Sequence, residues 1–346
     1  MWRYLGVSLS KEQALIAELD PIYLKSRPGK AVARLVTHLF FQGRPLTTRH
    51  RWLNRFLLAG MKVVASMPQI KTVERPIFIV GMGRSGSTIL GKTLSVHRDV
   101  GWLNEPKLIW YSIDPREDVN GNFYPGPAQY RFTSEDVPAD AGPKLKRIYG
   151  FYLAVTGSKR IVDKYPELVY RAAYVRELFP DARFIFLVRN GWDSLSSTAR
   201  WSKQQGREVD GVLEDWWGAD RRKWNIMVDE LVASDPDFSE HKDEIGNFTR
   251  QEEMAAVEWI VCMREGLKMM SLFPEATHLI RYEDLTRNPQ KSLPELTEFC
   301  GLPDDKIFLD YARKILVAGR THDRRVSLPA CVMPAFLKTL AELGYS

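Results

Sequence analysis

Glycine, hydroxyl and arginine residues suited to binding a phosphate group are concentrated in the segment 75–88, RPIFIVGMGRSGST. Its apolar run leads into a glycine-rich loop and then a predicted helix, so backbone N–H groups and the positive end of the helix dipole converge on one anion. A Walker A loop has a lysine directly after its second glycine, whereas Ser87 follows Gly86 here. The cation lies inside the loop, at Arg84, which indicates a phosphate-bearing ligand other than Mg-ATP.

A second candidate anion site follows the segment 182–189, ARFIFLVR, whose β-branched and aromatic residues predict a buried strand. Arg189 ends this strand, and Ser197 follows on a predicted helix. Because a cation at the mouth of a buried strand is costly to leave uncompensated, a bound dianion would stabilise Arg189. Taken singly, Arg189 could instead pair with Asp193, and Ser197 could be an ordinary hydroxyl near a helix N-terminus.

Three segments in fact resemble the motifs of sulfotransferases, which transfer a sulfuryl group from 3′-phosphoadenosine 5′-phosphosulfate (PAPS). The loop 84–88, RSGST, is similar to the family's RSGTT-type 5′-phosphosulfate loop. Arg189 and Ser197 match its R-(N/D)-x-x-D-x-x-x-S 3′-phosphate motif, and the segment 279–289, LIRYEDLTRNP, is similar to the RYEDL stretch that closes its fold. The order and spacing of the motifs match the family, and the active-site pattern is most similar to tyrosylprotein and carbohydrate sulfotransferases.

The resemblance implies a complete donor site for PAPS, with adenosine 3′,5′-bisphosphate as the product. No metal is expected, because the sulfuryl group carries less charge than a phosphoryl group and fixed cations and N–H dipoles can stabilise it. A late basic stretch is expected to close over the nucleotide through Arg320, Arg324 or Arg325. The donor-binding residues implied are Arg84, Ser85, Gly86, Ser87, Thr88, Arg189, Ser197, Tyr282 and Ser292; Ser292 could equally cap its helix.

Sulfuryl transfer to a hydroxyl also needs a general base. Cytosolic sulfotransferases use a histidine in a K-x-H-x-P context, but the comparable segment 163–166, DKYP, has none. Tyrosylprotein sulfotransferases and related enzymes use a glutamate after the loop's helix, and Glu105 occupies the matching place. We expect the apolar stretch 100–103 to bury Glu105 and raise its pKa; the alternative is a capping or salt-bridging glutamate. His97 is the competing base, predicted to face solvent.

Lys164 completes the predicted catalytic set with Glu105 and Arg84. It resembles the lysine of the N-K-D-P stretch in the same subgroup, which implies that it stabilises charge on the bridging oxygen as the bond to sulfur breaks. The alternative is a lysine at the surface end of a strand.

Alternating strands and helices predict a three-layer, P-loop-like α/β domain with a central parallel sheet flanked by helices. Both phosphate motifs fall at strand C-termini, where such sheets bind ligands. Residues 76–346 form the predicted catalytic domain, with a variable acceptor loop at 114–145 and a helical lid at 201–270. Five tryptophans could serve either as a stacking platform for a flat acceptor or as lid core: Trp192, Trp201, Trp216, Trp217 and Trp224. The predicted elements are strands at 77–80, 160–163, 183–188 and 277–282, and helices at 87–97, 167–179 and 290–300.

The first 75 residues form a predicted helical extension that is strongly basic, with 13 Lys and Arg against 4 Asp and Glu, although the 346-residue chain carries only +6. Its apolar residues lie at helical spacing, so residues 30–65 could touch a membrane surface or an acidic acceptor, or could simply pack on the catalytic domain. The slightly acidic catalytic body and the lack of a recognised motif argue against nucleic-acid binding.

Three widely spaced cysteines argue against a disulfide framework or a zinc site. The sequence lacks the layout of a signal peptide, and no apolar run approaches the ~18–20 residues of a membrane span. We therefore predict a cytoplasmic protein, with peripheral membrane contact left open.

The leading interpretation is a PAPS-dependent sulfotransferase whose acceptor hydroxyl belongs to a glycan or glycolipid, then to a tyrosine phenol or a small metabolite. Two alternatives remain, a P-loop kinase or NTPase and a nucleotide-binding protein without turnover. The acceptor's identity and the oligomeric state are not predicted.

Overall fold

The computed structural model describes residues 19–42, 51–123, 126–209, 211–317 and 325–345. As predicted, this part of the chain is a mixed α/β structure built on a central parallel sheet with helices on both of its faces.

Eight strands in the described residues form two sheets. The first sheet has five parallel strands in the order β2-β3-β1-β4-β8, and the second has three antiparallel strands in the order β5-β6-β7. The strands are β1 (Ile77–Gly81), β2 (Val100–Asn104), β3 (Arg160–Lys164), β4 (Arg183–Val188), β5 (Arg207–Val209), β6 (Val212–Asp215), β7 (Gly218–Ala219) and β8 (Thr277–Arg281).

The α-helices connect and cover these strands. In the described residues they are α1 (Pro21–Ser26), α2 (Pro28–Phe40), α3 (Asn54–Ser66), α4 (Ser87–Ser95), α5 (Lys107–Ile113), α6 (Ala141–Thr156), α7 (Ala172–Leu178), α8 (Gly191–Gln205), α9 (Arg222–Met227), α10 (Lys242–Gly246), α11 (Gln251–Leu272), α12 (Tyr282–Arg287), α13 (Pro289–Cys300), α14 (Lys306–Ile315) and α15 (Met333–Glu342).

The central strands are apolar along their whole length because both of their faces are covered. On β1, Phe78 and Val80 point into one core, and Ile77 and Ile79 point into the other. Gly81 at the end of β1 lies beside Leu187 of β4, so the two strands end at the same edge of the sheet. This edge carries both predicted phosphate motifs.

The predicted helix 167–179 is interrupted. A 3₁₀ segment, Pro166–Arg171, precedes α7, and Arg171 itself has a non-helical backbone. The buried guanidinium of Arg171 donates to the carbonyls of Tyr130 and Gln129. This side chain ties the segment to the loop before α6 at the point where a continuous helix was expected.

The prediction of a largely helical lid at 201–270 is wrong for β5, β6 and β7, which form the second sheet. Gly206 ends α8 with extended backbone, and Gly218 adopts a φ of +80°, a region that favours glycine, at the turn into β7. Helix resumes at α9 and α11, so the strands form an insertion within the lid.

The described N-terminal helices α1, α2 and α3 agree with the predicted helical extension. The division of the chain at residue 75 stays a prediction. Among the described residues, no helix combines the length and apolar character needed to cross a bilayer.

Side chains of α2 occupy the outer edge of β2. Lys30 donates from Nζ to the carbonyl of Val100 (2.5 Å), and Arg34 donates to the carbonyl of Trp102 while its guanidinium lies 4.2 Å from the indole centroid. These carbonyls are two residues apart, as expected for backbone groups that face the same edge. The basic helix thus covers an edge that would otherwise be open to another strand.

Replacing Arg34 with alanine is expected to destabilise the protein by about 2–4 kcal/mol, because a buried carbonyl loses its donor and the indole loses a cation. Urea denaturation measures this change. Arg55→Ala on α3 is the matched control, since Arg55 is exposed and should change the unfolding free energy by less than about 0.5 kcal/mol. Equal effects of the two substitutions would contradict the edge-covering role.

Candidate active site

The loop between β1 and α4 is tightly enclosed. Gly86 has a φ of +93°, and a Cβ added there would lie 2.3 Å from Cδ2 of Tyr282. Arg84 also lies in the left-handed region, at a φ of +69°. Non-glycine residues in this region store strain and cluster at ligand-binding sites. The hydroxyl of Ser85 is fully buried with no hydrogen-bond partner among the described residues, and a bound anion could use such a donor.

The two predicted phosphate motifs adjoin each other. Nε of Arg84 lies 3.3 Å from Oγ of Ser197, and Nη1 of Arg189 donates to the backbone carbonyl of Arg84 (3.1 Å). The guanidinium of Arg189 also lies over the ring of Tyr282 (4.9 Å) and 3.8 Å from the carboxylate of Asp193. Two guanidinium groups therefore border one site at the C-terminal edge of the sheet.

Glu105 and Lys164 form an ion pair at the ends of the neighbouring strands β2 and β3. The Lys164 side chain is buried, and the Glu105 side chain is one-fifth exposed. The backbone N–H of Glu105 donates to the carbonyl of Lys164 (2.6 Å), and Glu105 adopts a φ of +51°. Lys164 is therefore a buried partner of Glu105 and not a surface lysine.

A cavity of about 770 Å³ opens beside the loop and this ion pair. Its lining includes Arg84 and Thr88 from the loop side, together with Glu105 and Lys164. The three residues predicted to be catalytic thus border one space. Arg189 lies outside this lining, in contact with the backbone carbonyl of Arg84.

A second buried ion pair lines the far wall of the cavity. Nζ of Lys223 lies 2.6 Å from Glu258, and the same carboxylate accepts a hydrogen bond from Nε1 of Trp216 (2.5 Å). Lys223 also lies 4.4 Å from the Trp216 ring centroid, and Trp201 packs edge-on against that ring. Sequence reasoning noted the tryptophans but missed Lys223 and Glu258, which lie 35 residues apart on different helices.

The five tryptophans divide between the two roles that the sequence allowed, which are core packing and lining a space for an acceptor. Trp217 and Trp224 are buried and pack edge-on against each other, whereas Trp192 packs against Phe336. Trp217 and Trp224 serve the core of the lid, and Trp192 packs outside it. Of the five tryptophans, Trp201 and Trp216 line the cavity.

Residues 76–245 match the model of the sulfotransferase family. The match begins at the first strand and includes the anion loop, Glu105, Lys164 and Arg189. This segment of the chain, residues 76–245, belongs to the sulfotransferase family.

Known relatives match parts of this chain. Nodulation protein NoeE of Sinorhizobium fredii is 30% identical over 135 residues, which are 35% of this chain and 31% of that protein. Carbohydrate sulfotransferase 1 of Rattus norvegicus is 28% identical over 140 residues, 40% of this chain and 28% of that protein. The chain spans less than a third of the length of these two relatives. The solved sulfotransferase domain from the curacin biosynthetic pathway is 16% identical with a TM-score of 0.46, covering 80% of this chain and 99% of that domain.

Two predicted donor contacts, that of Ser292 and that of the late basic stretch, are not settled by the geometry. Ser292 is half-buried in the first turn of α13, outside the cavity lining. Arg320 and Arg324 lie outside the described residues, and Arg325 is exposed. Contacts of these residues with the nucleotide stay predictions.

The expectation that His97 faces solvent is wrong. His97 is fully buried, its Nε2 lies 2.8 Å from the carbonyl of Pro303, and its ring packs against Phe308. Burial lowers its pKa, although the contact with Pro303 favours the charged form. It lies outside the cavity lining, so His97 supports the packing of α4 and does not compete with Glu105 as a base.

Asp163 precedes Lys164 on β3 and therefore points to the opposite face of the sheet. Its carboxylate is fully buried and accepts hydrogen bonds from Nε1 of Trp110 (2.9 Å) and from the hydroxyl of Tyr149. Burial raises the pKa of Asp163 to about 7, against the effect of these hydrogen bonds. The folded protein thus holds a proton that the unfolded chain has already released near pH 4.

The protein is therefore expected to lose stability as pH rises from about 4 to 7. The raised pKa of Asp163 favours folding while its carboxyl is protonated, and this contribution is lost as the pH rises through the pKa of the folded state. Asp163→Asn should remove a decline on the order of 2–3 kcal/mol between about pH 5 and pH 8, measured by urea denaturation. Glu117, whose pKa burial also raises to about 7, contributes equally to both proteins. Asp140→Asn on the exposed surface is the control and should keep the full decline.

The described residues include one surface group of possible metal ligands, in which atoms of His241, Glu244 and Cys331 lie within 4.8 Å of one another. These residues are not part of the cavity lining. Independence of the chemistry from metal stays a prediction.

Proposed function

We propose that this chain transfers the sulfuryl group of PAPS to a hydroxyl of an acceptor. The observation that carries the proposal is the contact of Arg84 with both Ser197 and Arg189. This contact joins the two phosphate motifs at one site, next to a cavity that contains the Glu105–Lys164 pair.

The donor would lie along the loop with its two anionic ends on opposite sides. The 5′-phosphosulfate would bind Arg84 and the N–H and hydroxyl groups of residues 85–88, with the buried hydroxyl of Ser85 as one donor. The 3′-phosphate would bind Arg189 and Ser197. The fork geometry of a guanidinium suits two-point contact with phosphate oxygens. Tyr282 packs against both Gly86 and Arg189, which places it to hold the two ends in register.

In the transfer step, the acceptor oxygen forms a bond to sulfur while the bond from sulfur to the bridging oxygen of the donor breaks. The acceptor proton passes to Glu105, and the electron pair of the broken bond stays on the leaving phosphate. Lys164 and Arg84 stabilise that developing charge. The ion pair holds Glu105, the proposed base, beside Lys164, the cation proposed to stabilise the leaving group.

The acceptor that best fits the cavity is a neutral carbohydrate. Six of its nine charged side chains form the pairs Glu105–Lys164, Lys107–Glu167 and Lys223–Glu258. The other three are Arg84, Glu214 and Asp215, so four cations and five anions nearly balance. Amide side chains fill other positions, and the indoles of Trp201 and Trp216 offer apolar faces for a sugar ring. The amides in the lining belong to Gln42, Asn120, Asn122, Gln204 and Gln205. The carbohydrate sulfotransferase among the relatives supports the same acceptor class.

Incubation with radiolabelled PAPS and separate acceptor pools tests the proposal. The pools are neutral oligosaccharides, tyrosine-containing peptides, small phenols and a sulfated polysaccharide. We expect label in the neutral oligosaccharides, and thermal stabilisation by adenosine 3′,5′-bisphosphate. Stabilisation by Mg-ATP but not by the bisphosphate would overturn the donor assignment in favour of a kinase or NTPase. Label in another pool would overturn the acceptor class alone, and bisphosphate binding without any product would indicate a nucleotide-binding protein.

A further inference from the structure

An apolar stripe faces solvent along α3 and the turn before it. Trp52, Phe56, Val63 and Met67 are spaced by four, seven and four residues, which places them on one face of a helix. The first three have 59%, 56% and 62% of their surfaces exposed. Large apolar side chains of a soluble domain are rarely grouped in this way.

The stripe is not needed to hold the helix on the protein. Met61 on the opposite side of α3 is buried, and Leu57 and Val64 pack against the main core. One apolar face is sufficient to dock an amphipathic helix on a domain. Helix α3 therefore has a packed face and a second, solvent-facing apolar stripe.

Helix α2 repeats the arrangement. Val32, Leu35 and Phe40 are exposed, while Val36 packs against the core and Thr37 is buried. Both α2 and α3 contact α6, so the two helices are anchored on the same element. The exposed apolar residues of α2 and α3 are here called the apolar face.

The segment of sequence that contains the apolar face carries only one sign of charge, although Arg27 pairs with Asp305, and Lys30 and Arg34 donate to carbonyls of β2. Between Asp20 and Glu74 the sequence contains ten Lys and Arg residues and no Asp or Glu. On α3, exposed Arg55 and Lys62 flank the apolar stripe. Lysine or arginine side chains beside exposed tryptophan and phenylalanine are the combination that binds helices to the headgroup region of anionic membranes.

We infer that the apolar face docks the protein on an anionic lipid bilayer, with α3 in the plane of the membrane surface. Charge favours this occupant, because an acid-free basic segment complements a surface of anionic headgroups. The apolar residues then leave water for the acyl boundary, while basic side chains contact lipid phosphates. The docking depends on exposure and charge and is independent of the proposed transfer activity.

Vesicle sedimentation with the full chain tests the inference. We expect binding to vesicles of phosphatidylcholine with one-quarter phosphatidylglycerol to exceed binding to pure phosphatidylcholine at least tenfold, and to weaken at high salt. Arg55→Gln together with Lys62→Gln should weaken binding by roughly fivefold or more for each charge removed. Equal binding of the wild-type chain to both vesicle types would overturn the inference.

Substitutions at the apolar face give a second, matched comparison. Phe56→Ser with Val63→Ser is expected to reduce vesicle binding at least tenfold. Leu272→Ser with Leu337→Ser, at residues 58% and 50% exposed on other helices, should leave it within twofold. Equal losses in both double variants would overturn the assignment of the surface. A dimer in solution that dissociates only in the variant Phe56→Ser with Val63→Ser would also overturn it.

A spectroscopic measurement identifies the inserted residue directly. Brominated lipids quench tryptophans that enter the acyl boundary, and the chain has ten tryptophans. The quenched fraction should fall in Trp52→Phe relative to the wild-type chain. Unchanged quenching would place the contact elsewhere. Transfer to a soluble acceptor should persist in all of these variants, so failure of docking can be distinguished from failure of the proposed function.

Discussion

Replacing Glu105 with glutamine is expected to lower kcat by about 10²–10⁴-fold, the range that a general base contributes. Glutamine has nearly the same shape as glutamate and keeps an oxygen that can accept from Lys164, but it cannot take a proton at neutral pH. Donor binding should change by less than about threefold, because the anion loop and Arg189 are untouched. Initial rates with labelled PAPS and calorimetric binding of adenosine 3′,5′-bisphosphate measure the two quantities.

Two comparisons make this prediction specific. Glu167→Gln alters another cavity carboxylate, which lies 3.7 Å from Lys107, and it should lower kcat by less than about tenfold. Thermal unfolding of Glu105→Gln checks that the buried Lys164, now beside a neutral partner, has not unfolded the edge of the sheet. A Glu105→Gln protein that folds, binds donor and retains more than about a tenth of kcat would show that another group accepts the proton.

The strained backbone at the site is consistent with this role. Arg84 and Glu105 both have positive φ values, and neither is a residue type that favours them. Such conformations persist only where surrounding structure enforces them. For Glu105, one enforcing contact is the hydrogen bond from its backbone N–H to the carbonyl of Lys164. The preceding residue is also held: the backbone nitrogen of Asn104 lies 2.7 Å from the side-chain oxygen of Gln42 in the amide orientation that turns this oxygen toward Asn104. The N-terminal helices thus help to fix the end of β2.

Much of the central sheet could be predicted from sequence because its information is local. The strands β1 and β4 are continuous apolar runs, and the loop after β1 has glycines where positive φ and close approach require them. The juxtaposition of Arg84, Ser197 and Arg189 followed from the rule that parallel strands present ligands at their C-terminal ends. A salt-bridging Glu105 was one of the alternatives considered, but Lys164 was not predicted to be its partner.

Features that depend on distant packing could not be read from the sequence. Trp102 and its neighbours in β2 were treated only as an apolar stretch, because their strand pairing is set by β3, more than fifty residues away. His97 was assigned to solvent from its position at a helix end, yet α14 covers it through Phe308. The Lys223–Glu258 pair joins two helices of the lid, and no local pattern marks either residue as facing the cavity.

Replacing Arg189 with alanine is expected to weaken binding of adenosine 3′,5′-bisphosphate by about 10²–10³-fold while changing binding of adenosine 5′-monophosphate by less than about threefold. Charge-assisted hydrogen bonds contribute about 1.5–3 kcal/mol each, and a guanidinium can make two to one phosphate. The monophosphate lacks the 3′ group, so it should not depend on Arg189. Isothermal titration of both ligands with wild-type and variant proteins measures the change in preference directly.

Arg84→Ala separates this effect from a general loss of positive charge. Because Arg84 is assigned to the 5′ end that both nucleotides share, its removal should weaken both by a similar factor and leave their ratio unchanged. Arg183→Ala, at the opposite end of β4, should leave both affinities unchanged because its guanidinium donates to the carbonyl of Glu275, away from the loop. If Arg189→Ala weakened the two nucleotides equally, Arg189 would support the loop through its bond to the Arg84 carbonyl and would not recognise the 3′-phosphate. The ratio of the two nucleotide affinities thus decides between two roles for Arg189. Either it binds the 3′-phosphate of the donor, or it only positions the loop that binds the donor.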